Sequence, residues 1–119
     1  MPRLSAVLGY GTVGAHGATV VLTYGTTIAI DAGKGQCQKV TATDTVGYTI
    51  SNPTNAVNGS ELIFDIKNGS GGSMGTITWG NLYLLAGAFT NPADTKRRTI
   101  TFYYDGTNWV EVNRAAADI

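Results

Sequence analysis

The residues whose types and spacing could do chemistry lie near the start of the chain. Three glycines fit the G-x-G-x-x-G pattern of a dinucleotide-binding loop, in which missing side chains let the backbone approach a pyrophosphate: Gly9, Gly11 and Gly14. Asp31 ends a later strand-like run, where such folds place the acid that holds a ribose hydroxyl. The residues in between include Gly17 and three consecutive β-branched residues, which disfavour a crossover helix. The spacing therefore predicts a glycine-rich loop followed by strands, with nucleotide binding as the alternative.

Other residues able to do chemistry are few. His16 is the only histidine and lies in the same glycine-rich loop, and no serine stands in a nucleophile-elbow pattern. Most carboxylates lie in turn-like segments, where bonding to nearby backbone explains them. The single cysteine, Cys37, can form neither an intrachain disulfide nor a cysteine cluster for zinc, and we expect it to be buried or half-buried. The sequence therefore predicts no catalytic residue, no cofactor, no metal site and no enzymatic activity.

The chain carries few charges. Charged residues make up 13% of its 119 residues, against roughly 25% in an ordinary soluble domain. The formal net charge is +0, so no excess of one sign attracts nucleic acid. No apolar run approaches the roughly 20 residues that a membrane span requires. We therefore expect one soluble domain that contacts neither nucleic acid nor membrane and has much of its surface covered by partner proteins.

The clearest structural element is a β-hairpin near the end of the chain. Alternating apolar and polar residues flank the sequence Asp-Gly-Thr-Asn at 105–108, which suits a tight turn with a positive-φ position. A period of two in both flanking runs predicts two antiparallel strands. From this alternation we expect Ile100 and Val110 on one face of the hairpin, and Tyr103 and Trp109 on the opposite face.

Further short strands precede the hairpin. The strongest of them carries its apolar side chains on one face: Leu62, Phe64 and Ile66. Asn58 and Asn68 each begin a glycosylation sequon, which we interpret as turn chemistry. About eight short strands, no convincing helical period and no internal repeat predict an all-β fold. We expect an antiparallel β-sandwich of jelly-roll type without substantial helix.

Two groups of residues could form contact surfaces. The first comprises four aromatic residues: Trp79, Tyr83, Tyr103 and Trp109. Such rings stack on sugars, are buried in a protein interface, or belong to the core, and the sequence leaves these alternatives open. The second group is the basic cluster of Lys96, Arg97 and Arg98. It either discourages edge pairing as a solvated strand start or docks onto an acidic patch of a partner.

With these residues in view, the region from about residue 40 to 114 resembles small virion proteins of bacteriophages. The resemblance is carried by Tyr83 and by residues 48–50, 59–68, 77–80, 96–98 and 102–109. It implies a jelly-roll or β-sandwich module of a phage head or fibre, typically trimeric, and no active site. Fibre modules usually end a much longer chain, whereas only some forty residues precede the module here. That difference favours a capsid decoration (cement) protein over a fibre tip.

The resemblance also implies an organisation and a function. We expect an N-terminal arm with the first strands at residues 1–32, which contact neighbouring subunits, a β-sandwich module at 33–114 and a tail at 115–119. The expected protein is a capsid cement protein, made in the host cytoplasm, whose homotrimer covers junctions between major capsid protein subunits on the virion. The candidate interface residues are Leu4, Val7, Tyr10, Trp79, Tyr83, Lys96, Arg97, Arg98, Tyr103 and Trp109. The alternative function is receptor binding, with Trp79, Tyr83 or Trp109 presented to a host glycan.

Overall fold

The computed structural model describes residues 19–119, which form nine β-strands and no helix. The strands are Thr19–Val21 (β1), Thr27–Ile28 (β2), Cys37–Ala42 (β3), Tyr48–Ile50 (β4), Glu61–Asn68 (β5), Ile77–Trp79 (β6), Tyr83–Leu84 (β7), Arg97–Tyr104 (β8) and Trp109–Arg114 (β9). Within this part of the chain no helix is long and apolar enough to cross a membrane. The prediction of an all-β fold built from short strands is confirmed.

The strands form two sheets, and the chain alternates between them. The larger sheet has six strands in the order β1-β3-β5-β8-β9-β7, and the smaller has three in the order β2-β4-β6. Up to β6, each odd-numbered strand joins the larger sheet and the next strand joins the smaller one. Three successive coils of chain therefore stack on one another. This arrangement is a short β-solenoid, in which each coil contributes one strand to each sheet.

Within the stacked coils the strands are parallel, so the expected antiparallel jelly-roll pairing does not hold there. β1, β3 and β5 pair in parallel in one sheet, and β2, β4 and β6 in the other. A parallel neighbour requires the chain to return to the same edge, and here the path through the second sheet provides that return. Thr19 pairs with Cys37, and Cys37 pairs with Ile63 after a longer stretch of chain. Successive coils contain different numbers of residues. The structure therefore repeats from coil to coil, but the sequence shows no repeat of fixed length.

The β8–β9 hairpin forms as predicted. β8 pairs antiparallel with β5 on one side and with β9 on the other. In the turn, Asp105 Oδ1 accepts hydrogen bonds from the backbone N–H groups of Thr107 and Asn108, at 2.8 and 2.7 Å. Gly106 has a φ of +102°, the positive value that the turn sequence indicated. A register shift between Thr101 and Phe102 marks a β-bulge in the hairpin.

The register of the hairpin places the side chains of β9 on the opposite faces from those predicted. Trp109 pairs with Tyr104, and Val110 pairs with Tyr103. Trp109 and Phe102 are both completely buried, whereas Tyr103 is 37% exposed. Trp109 therefore lies on the core face of the hairpin. The expectation that it shares an outer face with Tyr103 is wrong, because the pattern within each strand does not determine which faces of two strands coincide.

One hydrophobic core lies between the two sheets. The inner face of β5 contributes Leu62, Phe64 and Ile66, each at most 1% exposed, as the alternation predicted. The smaller sheet contributes side chains from all three of its strands, among them Ile28, Ile50 and Ile77. Burial of these apolar faces against each other is what stabilises strands of only two or three residues.

The sheets extend across both expected domain boundaries. Residues 19–32, which the sequence assigned to the arm and first strands, provide β1 and β2, and Asp31 forms a parallel β-bridge with Thr54. At the other boundary, the tail folds back onto the start of β8. Ile119 and Arg97 exchange two backbone hydrogen bonds there, at 3.0 and 3.1 Å.

Candidate functional site

The predicted aromatic residues lie mostly in the core. Trp109 is 0% exposed and Tyr83 is 5% exposed, while Trp79 is half-buried. The ring of Phe64 packs edge-to-face against Trp79 and Tyr83, with centroid distances of 5.5 and 5.8 Å. Tyr103 lies apart from this group, on the outer face of β8. The four rings therefore do not form a common exposed surface, and three of them are explained by packing.

The basic cluster at the start of β8 is engaged with carboxylates of the same chain. Arg98 Nε donates a hydrogen bond to Asp118 Oδ1 at 2.6 Å. Arg97 Nε lies 3.3 Å from Asp65 Oδ1, an ion-pair distance without the alignment of a hydrogen bond. Lys96 is exposed. Of the three predicted interface cations, the structure thus brings two into intrachain ion pairs.

Several predicted residues lie outside the described part of the chain: the interface candidates Leu4, Val7 and Tyr10, the glycines Gly9, Gly11 and Gly14, and His16. Asp31, the acid of the dinucleotide pattern, lies within it and shapes a turn. Its Oδ1 accepts hydrogen bonds from the side chain of Asn55 and the backbone N–H of Gly33, both at 2.9 Å. These bonds, that from Asn55 foremost, hold the pKa of Asp31 below its ordinary value. A turn role accounts for this carboxylate.

Residues 19–119 contain no group of three or more His, Cys, Asp or Glu side chains that could hold a metal ion. Cys37 is half-buried on β3, as predicted. Asn68, the first residue of a sequon, is completely buried, and its amide bonds to the surrounding loops. Its role in the described region is structural.

The outer face of the three-stranded sheet is uncharged. Thr27 of β2 is in register with Thr49 of β4, and Thr49 is in register with Thr78 of β6. The neighbouring Ile28 and Ile50 point into the core, so the three threonines point outward. We call this surface the threonine face; its hydroxyl-bearing residues repeat at about 4.7–4.9 Å, the usual separation of paired strands. None of the residues in β2, β4 and β6 carries a charge.

The outer face of the larger sheet differs in chemistry. Alternate positions of β3, β5 and β8 carry charged side chains there: Lys39, Glu61, Asp65, Lys67 and Arg97. Charged side chains bind water strongly and are depleted in the centres of protein interfaces. The two outer faces of the described strands thus differ in charge.

One end of the solenoid is open within residues 19–119. β1 and β2 are the edge strands of their sheets at this end, beside a cleft of about 620 Å³ lined in part by Val20, Leu22, Ile30 and Gln38. Gln38 is fully buried, and its Nε2 donates to the carbonyl of Gly35 at 2.8 Å. Its Oε1 has no hydrogen-bond partner in the described part of the chain. We call β1, β2 and this cleft the open end.

A loop flanks the opposite edge of the three-stranded sheet. The loop at 85–91 lies beside β6, and Phe89 packs edge-to-face against Trp79 with a centroid distance of 5.8 Å. Asn91 Nδ2 donates to the carbonyl of Gly75 at 3.1 Å, just before β6 begins. Solenoids need covered ends because exposed strand edges invite pairing with other chains. β6, like β2, is an edge strand within residues 19–119, and the loop packs beside it without adding a strand.

Sequence reasoning missed both the threonine face and the open end. A signal for the face is present, because Thr27, Thr49 and Thr78 each precede a large apolar residue. The stretch of chain from Thr27 to Thr49 is shorter than that from Thr49 to Thr78, so these positions do not read as a repeat. The open end has no sequence signal, since an edge is defined by which strands pair.

No protein-family model, curated protein or solved structure matches this chain. Its function therefore has to be inferred from its own residues. The threonine face and the open end are the two surfaces that offer a basis for that inference.

Proposed function

We propose that this chain is a structural protein of a bacteriophage virion, namely a capsid cement protein. In this proposal, a homotrimer binds over junctions between major capsid protein subunits and stabilises the head. The protein would be made in the host cytoplasm, reside on the capsid surface and catalyse no reaction. The observation that carries the proposal is the uncharged threonine face on a β-solenoid body. The likeness of residues 40–114 to small virion modules supplies the class of partner.

The threonine face is the surface that we assign to the capsid. Placing it against a protein desolvates hydroxyl groups and small side chains, and hydroxyls can both donate and accept hydrogen bonds. Placing the outer face of the larger sheet there would desolvate charges such as Lys39 and Lys67, which costs far more unless each is paired. Burying the ladder of Thr27, Thr49 and Thr78 therefore costs less free energy than burying the charged face.

In a trimer, a small contact between each protomer and the capsid is sufficient for firm binding. A stable specific interface buries on the order of 1,600 Å² in total, and the threonine strands of one protomer are short. Linking three such contacts converts the second and third into intramolecular events, which raises avidity by roughly 10²–10⁴-fold. The proposal therefore requires that the isolated protomer binds weakly and the trimer binds firmly.

A charge placed in the threonine face tests the proposal. We expect Thr49→Lys to weaken binding to empty shells of the major capsid protein by about 10–100-fold, because an unpaired ammonium would be buried. Thr101→Lys is the matched control, since Thr101 lies on the outer face of the larger sheet. Co-sedimentation with shells measures both, and analytical ultracentrifugation reports the trimer. Equal binding of the two variants, or a wild-type protein that ignores shells, would overturn the assignment.

Glycan binding is the competing function. It would use Trp79, Tyr83 or Trp109, but Tyr83 and Trp109 are committed to the core. A glycan array with the purified protein separates the two functions, because a cement protein should bind none of the glycans. Binding to one glycan class, lost in Trp79→Ala, would replace the cement proposal with receptor binding.

A further inference from the structure

The three-stranded sheet ends at β6 with backbone groups that face no strand. The carbonyl of Thr76 and the N–H of Gly80 hydrogen-bond to β4, at 3.1 and 2.8 Å. Since alternate residues of a strand turn their backbone groups to opposite edges, those of Ile77 and Trp79 point away from β4. No strand within residues 19–119 pairs with this side of β6. We call the outward backbone groups of Ile77 and Trp79 the β6 edge.

An apolar cavity of about 400 Å³ lies beside the β6 edge. Its apolar walls come from two residues of β6 and from the loop that flanks it: Ile77, Trp79, Leu85, Ala88 and Phe89. Binding pockets in proteins usually have volumes of roughly 300–1,000 Å³ and mostly apolar walls. Among the described residues that line this cavity, none carries a charge, so it suits an uncharged, apolar side chain.

The indole N–H of Trp79 is an unsatisfied donor in the wall of this cavity. Trp79 Nε1 is buried and has no hydrogen-bond partner among the residues that the structure describes. Buried polar groups of native proteins almost always have a partner, so an unpartnered one requires an explanation. A carbonyl oxygen of a bound peptide is an acceptor of the kind that this N–H lacks.

We propose that an extended, uncharged peptide segment of a partner protein adds a strand to the β6 edge and places a large apolar side chain in the adjacent cavity. In strand addition, main-chain hydrogen bonds supply affinity and a pocket for an alternate side chain supplies specificity. Both parts are present here, because Ile77 and Trp79 provide the outward backbone groups and also line the cavity. Thr78 lies between them, so the β6 edge borders the threonine face, but strand addition does not depend on what that face binds.

The occupant that we assign is a segment of another protein. In residues 19–119 of a second copy, the other edge strands are β1, β2 and β7. Each has only two or three residues and is already held in its own sheet. A free extended segment can instead match every outward group of the β6 edge, and its side chains alternate between the cavity and solvent.

NMR of the full chain with defined peptides tests the proposal. The probes are four uncharged peptides, acetyl-Thr-X-Thr-X-Thr-amide, in which X is valine, isoleucine, leucine or phenylalanine. At a free concentration ten times its Kd, a bound peptide should slow amide exchange at Ile77 and Trp79 about tenfold and shift the indole N–H signal of Trp79. The indole N–H of Trp109 is the internal control, because Trp109 is completely buried and does not line the cavity.

A charge in the cavity wall should weaken peptide binding. We expect Ala88→Lys to raise the Kd by about tenfold or more, because an ammonium group would be desolvated by the apolar side chain that enters. Thr90→Lys is the matched control, since Thr90 is also exposed in this part of the chain but does not line the cavity. Equal affinities of the two variants, or no peptide that slows exchange at Ile77 and Trp79, would overturn the proposal.

Exchange in the protein without peptide identifies any other occupant of the β6 edge. The amides of Ile77 and Trp79 should exchange quickly at all protein concentrations. Slow exchange only at high concentration would show that a second copy occupies the edge, and slow exchange at every concentration would show that the chain itself covers it. Either result contradicts the proposal. Thr49→Lys should leave peptide binding unchanged, so a failure of peptide binding is distinguishable from a failure of shell binding.

Discussion

The rings of Tyr104 and Trp109 lie across the β8–β9 hairpin from each other, with centroids 5.0 Å apart and planes tilted by 37°. The pair exists because the register places these two residues opposite each other. Trp109 is completely buried, while Tyr104 is half-buried and covers its edge. An aromatic pair of this kind stabilises the pairing of β8 with β9, and the buried Trp109 anchors the hairpin in the core.

Truncation of this tryptophan should be among the most destabilising changes in the protein. We expect Trp109→Ala to lower the free energy of unfolding by about 3–5 kcal/mol, because it leaves a large cavity in the core. Tyr103→Ala, next to Tyr104 but on the outer face of the hairpin, should cost less than about 1 kcal/mol. Urea denaturation measures both variants. Similar losses would mean that Tyr103 and Trp109 do not lie on opposite faces.

Substitution of Asn68 should destabilise the fold as much as substitution of an apolar core residue, although asparagine is polar. Its Nδ2 donates to the carbonyls of Gly72 and Pro92 at 2.8 and 3.0 Å, and its Oδ1 accepts from Ser70. Asn68→Ala leaves these groups without their partner, at a cost of about 2–4 kcal/mol. Asn58→Ala, at the exposed first residue of the other sequon, is the matched control and should be nearly neutral. Thermal denaturation distinguishes the two, and an equal effect would show that burial of Asn68 is unimportant.

Local alternation carried enough information to predict most strands of this fold. The sequence patterns over β5, β8 and β9 fit a half-buried sheet, and Leu62, Phe64 and Ile66 lie where the pattern placed them. Pairing between distant strands could not be predicted in the same way. Cys37 pairs with Ile63 across one coil, and the length of each coil differs from that of the next. Neither segment contains a sequence pattern that specifies the other as its pairing partner.

The candidate surfaces could not be predicted for the same reason, because they too depend on how strands pair. A shift of one residue in register moves a side chain to the other face of a sheet, so the pairing of Trp109 with Tyr104 decides on which face Trp109 lies. Large aromatic residues are common both in protein cores and in interfaces, so the residue type alone does not distinguish the two. This is why Tyr83 was among the predicted interface residues. The threonine face escaped notice because small uncharged residues are individually unremarkable and acquire meaning only when strands align them.

Acid titration should reveal the bond between Tyr24 and Asp44. Tyr24 Oη donates to Asp44 Oδ1 at 2.5 Å, and this bond, with one from Val46 N–H, holds the pKa of Asp44 below its ordinary 3.8. A lowered carboxyl pKa stabilises the fold above pH 3.8 and loses that contribution as pH falls through the folded value. Tyr24→Phe should therefore raise the pKa of Asp44 toward 3.8, measured by carboxyl NMR.

The same hydrogen bond should also be visible at alkaline pH, in the ionisation of Tyr24. Burial and the adjacent carboxylate raise the pKa of Tyr24 from 10.0 to about 12. Its contribution to stability is fully present below pH 10 and is lost as pH rises through the folded value. Absorbance titration should show this delayed ionisation, and Tyr103→Phe should leave both it and the pKa of Asp44 unchanged. An Asp44 pKa that does not respond to Tyr24→Phe would contradict the bond.

Arg114 helps to hold the loop beside β6, and a lysine should not replace it. Arg114 donates from Nε and Nη2 to the carboxylate of Glu111 at 2.6 and 2.7 Å, and from Nη1 and Nη2 to the carbonyls of Ala88 and Gly87. Lysine keeps the charge but lacks the planar fork that makes these bonds together. We expect Arg114→Lys to cost about 1–2 kcal/mol and to speed amide exchange at Ala86, whose N–H donates to Glu111.

Arg97→Lys is the control for that prediction. Arg97 makes a single contact with Asp65 at 3.3 Å, and its side chain is 41% exposed. A single ion pair of this length, with the arginine so exposed, contributes about 0–1 kcal/mol, so the exchange of loop amides should not change. If both lysine variants left the loop equally protected, its packing through Phe89 would be holding it instead of the arginine.

Stacked coils approach each other closely at Gly75, which makes that glycine a sharp test of the solenoid. A Cβ at this position would collide with the backbone of Val46 and Gly47 in the preceding coil, and backbone cannot move aside as a flexible side chain can. Gly75→Ala should therefore cost about 1–3 kcal/mol or separate the coils locally. Gly72 lies shortly before it with no heavy atom within 4 Å of its would-be Cβ, so Gly72→Ala should be neutral or slightly stabilising. Differential scanning calorimetry of the two variants decides, because only a fold that stacks 46–47 against 75 makes identical substitutions so unequal.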